Sequence, residues 1–207
     1  INFMDKTVLD NAINYLSKDE KIKKLIDKYS KPIFKINDNH FDALAKSIIY
    51  QQLSGKVAKI IYTRFINLFD QQNPAPASCL KLNQEMLRSI GLSKQKVGYI
   101  YNVAKFFIND HSKKKFSLMS ENEISKNLIS IKGIGPWTID MFMMFTICKT
   151  DVLPVGDLGI QKAFKELFHL KELPSSQLMI ELSENWRPYR TIACCYLWMI
   201  VDDGDVW

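Results

Sequence analysis

The chain has 207 residues, 47% apolar and 24% charged, ordinary globular values that exclude an intrinsically disordered chain and allow one large domain or two small lobes. Lys plus Arg exceed Asp plus Glu by 28 to 22, giving a net charge of +6; this excludes an acidic mimic of a polyanion and permits a basic surface that attracts one. Four cysteines, with no Cys-x-x-Cys pair, exclude a zinc ribbon or a four-cysteine iron–sulfur loop.

Cys148, Cys194 and Cys195 sit inside apolar stretches and read as small buried hydrophobes of a reducing compartment. The first eleven residues mix polar and charged positions, unlike a signal peptide. The longest apolar run, Ile192–Val201, is about half of what a bilayer span needs. An intracellular protein without a membrane partner is the expectation. Ile1 is not an initiating residue, so the sequence is expected to be trimmed at its start.

Along the chain, Phe41, Leu44, Ala45, Ile48 and Ile49 fall at i, i+3, i+4, i+7 and i+8, the stripe of an amphipathic helix. After a break at Gln52-Leu53-Ser54-Gly55, the residues Val57, Ile60, Ile61, Phe65 and Leu68 repeat the stripe. Tyr99–Phe107 and Ile124–Ile131 keep the same period. Thr138–Cys148 and Thr191–Val201 are apolar on nearly all faces, as in helices buried within a bundle. Only Pro32–Ile36 suggests a short extended piece. Asn73-Pro74-Ala75-Pro76, His111–Lys115 and Leu153-Pro154-Val155-Gly156 mark loops. The reading is an all-α, two-lobed helical bundle with a cleft between the lobes: one domain over residues 1–207, a hairpin near 124–148 and an acidic loop at 150–160.

The most informative stretch runs from Asn127 to Lys162. A helix ends near Ile131, Lys132-Gly133-Ile134-Gly135 makes a hairpin, and Pro136 opens the next helix. Both glycines permit positive φ and close approach of another molecule, and Pro in a first helical turn needs no N–H partner. Free backbone donors and the helix dipole there attract phosphate. A tight turn with a glycine cap stands beside the DNA-phosphate reading on even terms. Asp157, 21 positions after Pro136, opens a further helix. From spacing alone it is an N-cap first. A carboxylate there, beside a bound sugar, could stabilise an oxocarbenium-like transition state or orient water.

The hairpin, its following helix and Leu153-Pro154-Val155-Gly156-Asp157-Leu158-Gly159-Ile160 resemble the helix-hairpin-helix, Gly/Pro…Asp (HhH-GPD) superfamily of DNA glycosylases. The alkylation-repair branch, the 3-methyladenine DNA glycosylase II type, is the nearest match. Phe41–Lys56, with Gln51-Gln52-Leu53-Ser54-Gly55, resembles the helix leading into the family's DNA-intercalating loop. Gly91–Lys96 resembles another of its turns, and Trp186–Arg190 through Trp198 its C-terminal helix. Together these features cover most of the chain.

The resemblance implies that Asp157 is the catalytic carboxylate and that Trp137 and Trp198 line the base pocket. An aromatic face there favours a cationic alkylpurine by stacking and cation–π attraction. Core filling is the plain alternative for both tryptophans. Gln51 or Gln52 would plug the gap left by a flipped nucleotide, the alternative being a polar pair that ends a helix. Gly133 and Gly135 would donate to phosphate, with Lys162, Lys94 and Lys96 adding charge. The family's hairpin carbonyls can also hold a monovalent cation, Na+ or K+. No cofactor is required for the chemistry, and no other metal is expected.

Two departures bear on the reaction. Strand-cutting relatives carry a Schiff-base lysine at the second position after the hairpin's last glycine; here that position is Trp137. The expected reaction is therefore hydrolytic release of the base, leaving an abasic site without strand scission. Some relatives carry a β-rich domain ahead of the helical core, whereas about forty residues precede it here, as in a compact version. The expected partner is double-stranded DNA with alkylated bases, bound by a monomer. A non-catalytic damaged-DNA-binding relative, or a glycosylase for another lesion, is the alternative.

Overall fold

The computed structural model describes residues 4–34, 37–108 and 116–201, which contain helices and turns and no strand. The predicted loop at His111–Lys115 and the end of the predicted extended piece at Pro32–Ile36 lie outside the described residues. The chain forms two compact units. One is continuous, Asn37–Phe142; the other combines Ile1–Ile36 with Met143–Trp207.

The continuous unit is built on α7 (Lys94–Ile108), which packs against α3 (His40–Tyr50), α5 (Pro76–Lys81) and α6 (Gln84–Ser89). The predicted stripe on α3 is its core face, since Phe41, Leu44, Ala45, Ile48 and Ile49 are all buried. Asn39 caps that helix by accepting from the Asp42 N–H at 3.0 Å. On α4 (Gly55–Ile66) the expected stripe is corrected: Ala58, Ile61 and Phe65 are buried, while Val57 and Ile60 are exposed. Ala58, Ile61 and Phe65 recur at i, i+3 and i+7 and so share the one face that is turned inward. The buried carboxylate of Asp42 ties α3 to α4, accepting from Tyr62 Oη at 2.8 Å on both oxygens. Burial pushes its carboxyl pKa up from the ordinary range.

Next come α8 (Glu121–Leu128) and α9 (Pro136–Phe145), with the hairpin between them. A capping box opens α8: Ser120 Oγ accepts from the Glu123 N–H, and the Glu123 carboxylate accepts from the Ser120 N–H. The helix stops at Leu128, three residues before the expected end.

The other unit centres on α12 (Arg190–Val201), buried at every position from Arg190 to Met199. Removing each large apolar side chain of this helix from water contributes about 1.5–3 kcal/mol as an upper figure. Around α12 pack α1 (Lys6–Leu16), α2 (Glu20–Lys28) and α10 (Leu158–Leu167), with the short α11 (Ser176–Leu182) preceding it. Trp186 is fully buried and lies against Phe164 and Phe168. Its indole N–H donates to Asp19 Oδ2 at 3.0 Å, while the other oxygen of Asp19 caps α2.

Candidate functional site

The hairpin begins with the Ile131 N–H donating to Leu128 O at 3.0 Å and closes with the Ile134 N–H donating to Ile131 O at 2.9 Å. Gly133 has φ +110°, and a Cβ there would be driven into the Tyr99 ring. No other residue type satisfies both conditions. Gly135 differs from expectation: its backbone does not take a positive φ, and the space around it is open. Among the described residues, no acceptor faces the N–H of Gly133 or Gly135. Asn102 Nδ2 donates to Lys132 O at 3.0 Å, and Gln51 Nε2 donates to Gly133 O at 3.1 Å.

The turn between α3 and α4 separates the two glutamines that the sequence left equivalent. Gln51, half-buried, also donates to Thr138 Oγ1 at 3.0 Å. Gln52 is exposed, with φ +56°, and the exposed Leu53 follows it. Lys96 is half-buried, and its ammonium donates to Ile49 O at 2.8 Å and Gln51 O at 2.7 Å. Partial burial lowers its pKa. Lys94 is exposed. Trp137, in the second residue of α9, is half-buried in this same unit.

The acidic loop belongs to the other unit and is fastened at both ends. At its start, Asp151 accepts from Arg190 Nε at 2.7 Å and Nη2 at 3.1 Å, and from Arg187 Nη1 at 2.7 Å. Thr191 Oγ1 donates to Lys149 O at 2.7 Å and accepts from the Val152 N–H at 3.0 Å. At its end, the Gln161 amide donates to Val155 O at 2.9 Å, and the Asp157 N–H donates to Pro154 O at 3.0 Å.

Asp157 is the N-cap of α10. Its Oδ1 accepts from the Ile160 N–H at 2.8 Å and from the Trp198 indole N–H at 2.9 Å. Trp198 is only 3% exposed, so it presents no open face; the geometry makes it the holder of the carboxylate. Phe145, half-buried, lies 5.8 Å from Trp198 between ring centroids, and Phe34 backs it at 6.2 Å. Gly159 makes the arrangement possible, because a Cβ there would come within 3.1 Å of Asp157 Oδ1 and 3.1 Å of Trp198 Cδ1. Lys162 is exposed on α10.

The structure thus joins Asp157 to Trp198 and Gln51 to Gly133. Sequence reasoning missed Gly159, Phe145 and the Asp151–Arg190 pair; of these only the glycine, two residues past the acid, left a readable sign. The cysteines offer no nucleophile: the described ones are all free, and burial raises the Cys148 thiol to about 11 and the Cys79 thiol to about 12. No cluster of His, Cys, Asp or Glu among the described residues could hold a metal ion. No helix among the described residues is long and apolar enough to cross a membrane.

The family model of HhH-GPD superfamily base excision DNA repair proteins matches residues 45–188. The chain belongs to that superfamily. It is 31% identical to DNA-3-methyladenine glycosylase 1 of Schizosaccharomyces pombe over 161 residues, 76% of this chain and 71% of that one. It is 31% identical to the YfjP protein of Bacillus subtilis over 169 residues, 78% of this chain but only 59% of that one. Among solved structures, that of the Schizosaccharomyces pombe 3-methyladenine DNA glycosylase in complex with abasic DNA superimposes with a TM-score of 0.85. The match has 28% identity and covers 93% of this chain and 97% of the other.

Proposed function

We propose that the protein is a DNA glycosylase that removes alkylated purines, of the 3-methyladenine and 7-methylguanine type, from double-stranded DNA as a monomer. The observation that carries this reading is the carboxylate of Asp157, fixed by a helix N-terminus on one side and an indole N–H on the other. An anion so fixed is already in place before charge develops on a sugar, so no reorganisation is needed as the glycosidic bond breaks.

The outward N–H groups of Gly133 and Gly135 hold a backbone phosphate, with salt-sensitive help from lysines. Gln52 enters the duplex while the damaged nucleotide rotates out. An alkylated purine is cationic, so its glycosidic bond is weakened before it is bound, and stacking on aromatic residues such as Trp137 favours it over neutral bases. Asp157 stabilises positive charge on the sugar, and water adds at C1′. With tryptophan at position 137 there is no Schiff-base amine, and the product is an abasic site with an intact strand.

The proposal includes a monovalent cation at the hairpin, where neutral backbone oxygens suit Na+ or K+. The Ile131, Lys132 and Gly133 carbonyls already accept one hydrogen bond each, from Ile134, Asn102 and Gln51, so the Ile134 carbonyl and the second lone pairs of the others would hold it. The ion would supply positive charge beneath the phosphate.

Single-turnover release of free base from duplex DNA carrying 3-methyladenine or 7-methylguanine tests the reading. Wild type is expected to release base, and Asp157→Asn, which can still cap α10, is expected to be about 10²–10³-fold slower with DNA binding kept. Binding without release by wild type would overturn it, in favour of a damaged-DNA-binding protein or an enzyme for another lesion.

A further inference from the structure

Gln51 ties the turn after α3 to the hairpin, and Lys96 ties the same turn to α7. Both amide hydrogens of Gln51 are committed, one to Gly133 O and one to Thr138 Oγ1. Gln51 therefore cannot enter a duplex without breaking both bonds, whereas the exposed Gln52 is not held in that way. Lys96 sits at the carbonyl end of α3, where the helix dipole favours a cation. Its ammonium joins Ile49 O to Gln51 O and so closes the turn from beneath.

The backing is shared. Lys96, Tyr99 and Asn102 recur every three residues along α7 and line one of its faces. Lys96 holds the turn, Tyr99 packs under Gly133 and Asn102 holds Lys132 O. Gln52 has φ +56°, a left-handed backbone that persists in a non-glycine residue only where the surroundings enforce it.

We propose that Gln51, which joins the 51–54 turn to the hairpin, and Lys96, which holds that turn against α7, are positioning residues, so that the grip on phosphate at Gly133 and Gly135 sets how deeply Gln52 enters the duplex. The proposal rests on the DNA-binding reading of these two segments, and it assigns Gln52, not Gln51, as the plug. Loss of either tie leaves the phosphate grip in place but lets the plug wander, so insertion suffers more than backbone binding.

The experiment uses the full chain with Gln51→Ala, Lys96→Met and Lys96→Arg. The probe is a duplex with 2-aminopurine beside a tetrahydrofuran abasic analogue, so the readout is unstacking and not chemistry. Affinity for undamaged duplex and thermal unfolding are measured in parallel. Gln51→Ala and Lys96→Met are expected to slow unstacking about tenfold to a hundredfold while affinity for undamaged duplex changes by only about twofold. Lys96→Arg, which can still donate to both carbonyls, is expected to recover most of the rate.

Unstacking at the wild-type rate in both variants overturns the proposal. So does an equal loss for damaged and undamaged duplex, which reports lost charge or lost structure. If Lys96→Met fails to fold, Gln51→Ala decides alone. Absence of base release by the wild type sinks the glycosylase reading but leaves this result standing; absence of unstacking by the wild type sinks the proposal itself.

Discussion

In one unit Asp157 is held by the Ile160 N–H and the indole of Trp198, and the start of its loop by two side chains, the guanidinium of Arg190 and the hydroxyl of Thr191. In the other, the hairpin is held through its backbone, with Lys132 O and Gly133 O each accepting from an amide and Gly133 seated on a ring. The carboxylate can therefore be displaced by changing its neighbours' side chains while the helix it caps survives. The hairpin cannot be displaced that way without damage to the fold, because its working groups are the main chain. A group held by side chains is tuned by substitution; a group of the main chain is fixed by conformation.

The comparison is strained hardest at Gly133. Gly133→Ala adds left-handed strain to overlap with Tyr99 and is expected to destabilise the fold by about 2–4 kcal/mol. Denaturant unfolding would read this, and DNA affinity should fall with it. A stable variant with normal binding would mean that the hairpin is no more backbone-dependent than the acidic loop. Gly159→Ala probes the other side. A methyl there crowds Asp157 and the buried Trp198, yet alanine is the better helix residue. Base release should fall about tenfold while stability stays within about 1 kcal/mol of wild type. A single-turnover assay beside a melting curve separates the two effects.

The smallest effect is expected at Asp42, the place where the backbone-reading unit depends on a buried charge. Its folded pKa is raised above the ordinary 3.8, so the stability that goes with protonation is fully present below about that value and is lost as pH rises through the raised one. Compared with Asp42→Asn, the wild type should gain stability as pH falls from neutral towards about 4. Melting of the pair across that range would show it, and a gap that stays constant with pH would remove Asp42 from the account.

How much was legible follows the same division. The helices α3, α7, α9 and α12 could be read because an apolar stripe or an apolar run is a local property. Gly133 could be read as a turn residue because two glycines stand just before a Pro-led helix, and Asp157 because an acid at a helix start is visible as a cap. Gln51 and Gln52 could not be told apart, since the distinction lies in Gly133 and Thr138, more than eighty residues away. Lys96 looked like any surface lysine because its acceptors are carbonyls, which every residue carries. For Trp198 a pocket wall and core filling stood side by side, because its bond to Asp157 crosses 41 positions.

The unit that carries Asp157 is assembled from two separated stretches of chain, whereas Asn37–Phe142 is uninterrupted. Synthesis from the first residue onward therefore delivers every residue of the hairpin unit before α10 and α12 exist. The indole that holds the carboxylate arrives only when translation reaches Trp198. A chain still on the ribosome can contain the whole hairpin unit and none of the bonds that fix Asp157, so the two segments become complete in a set order of manufacture.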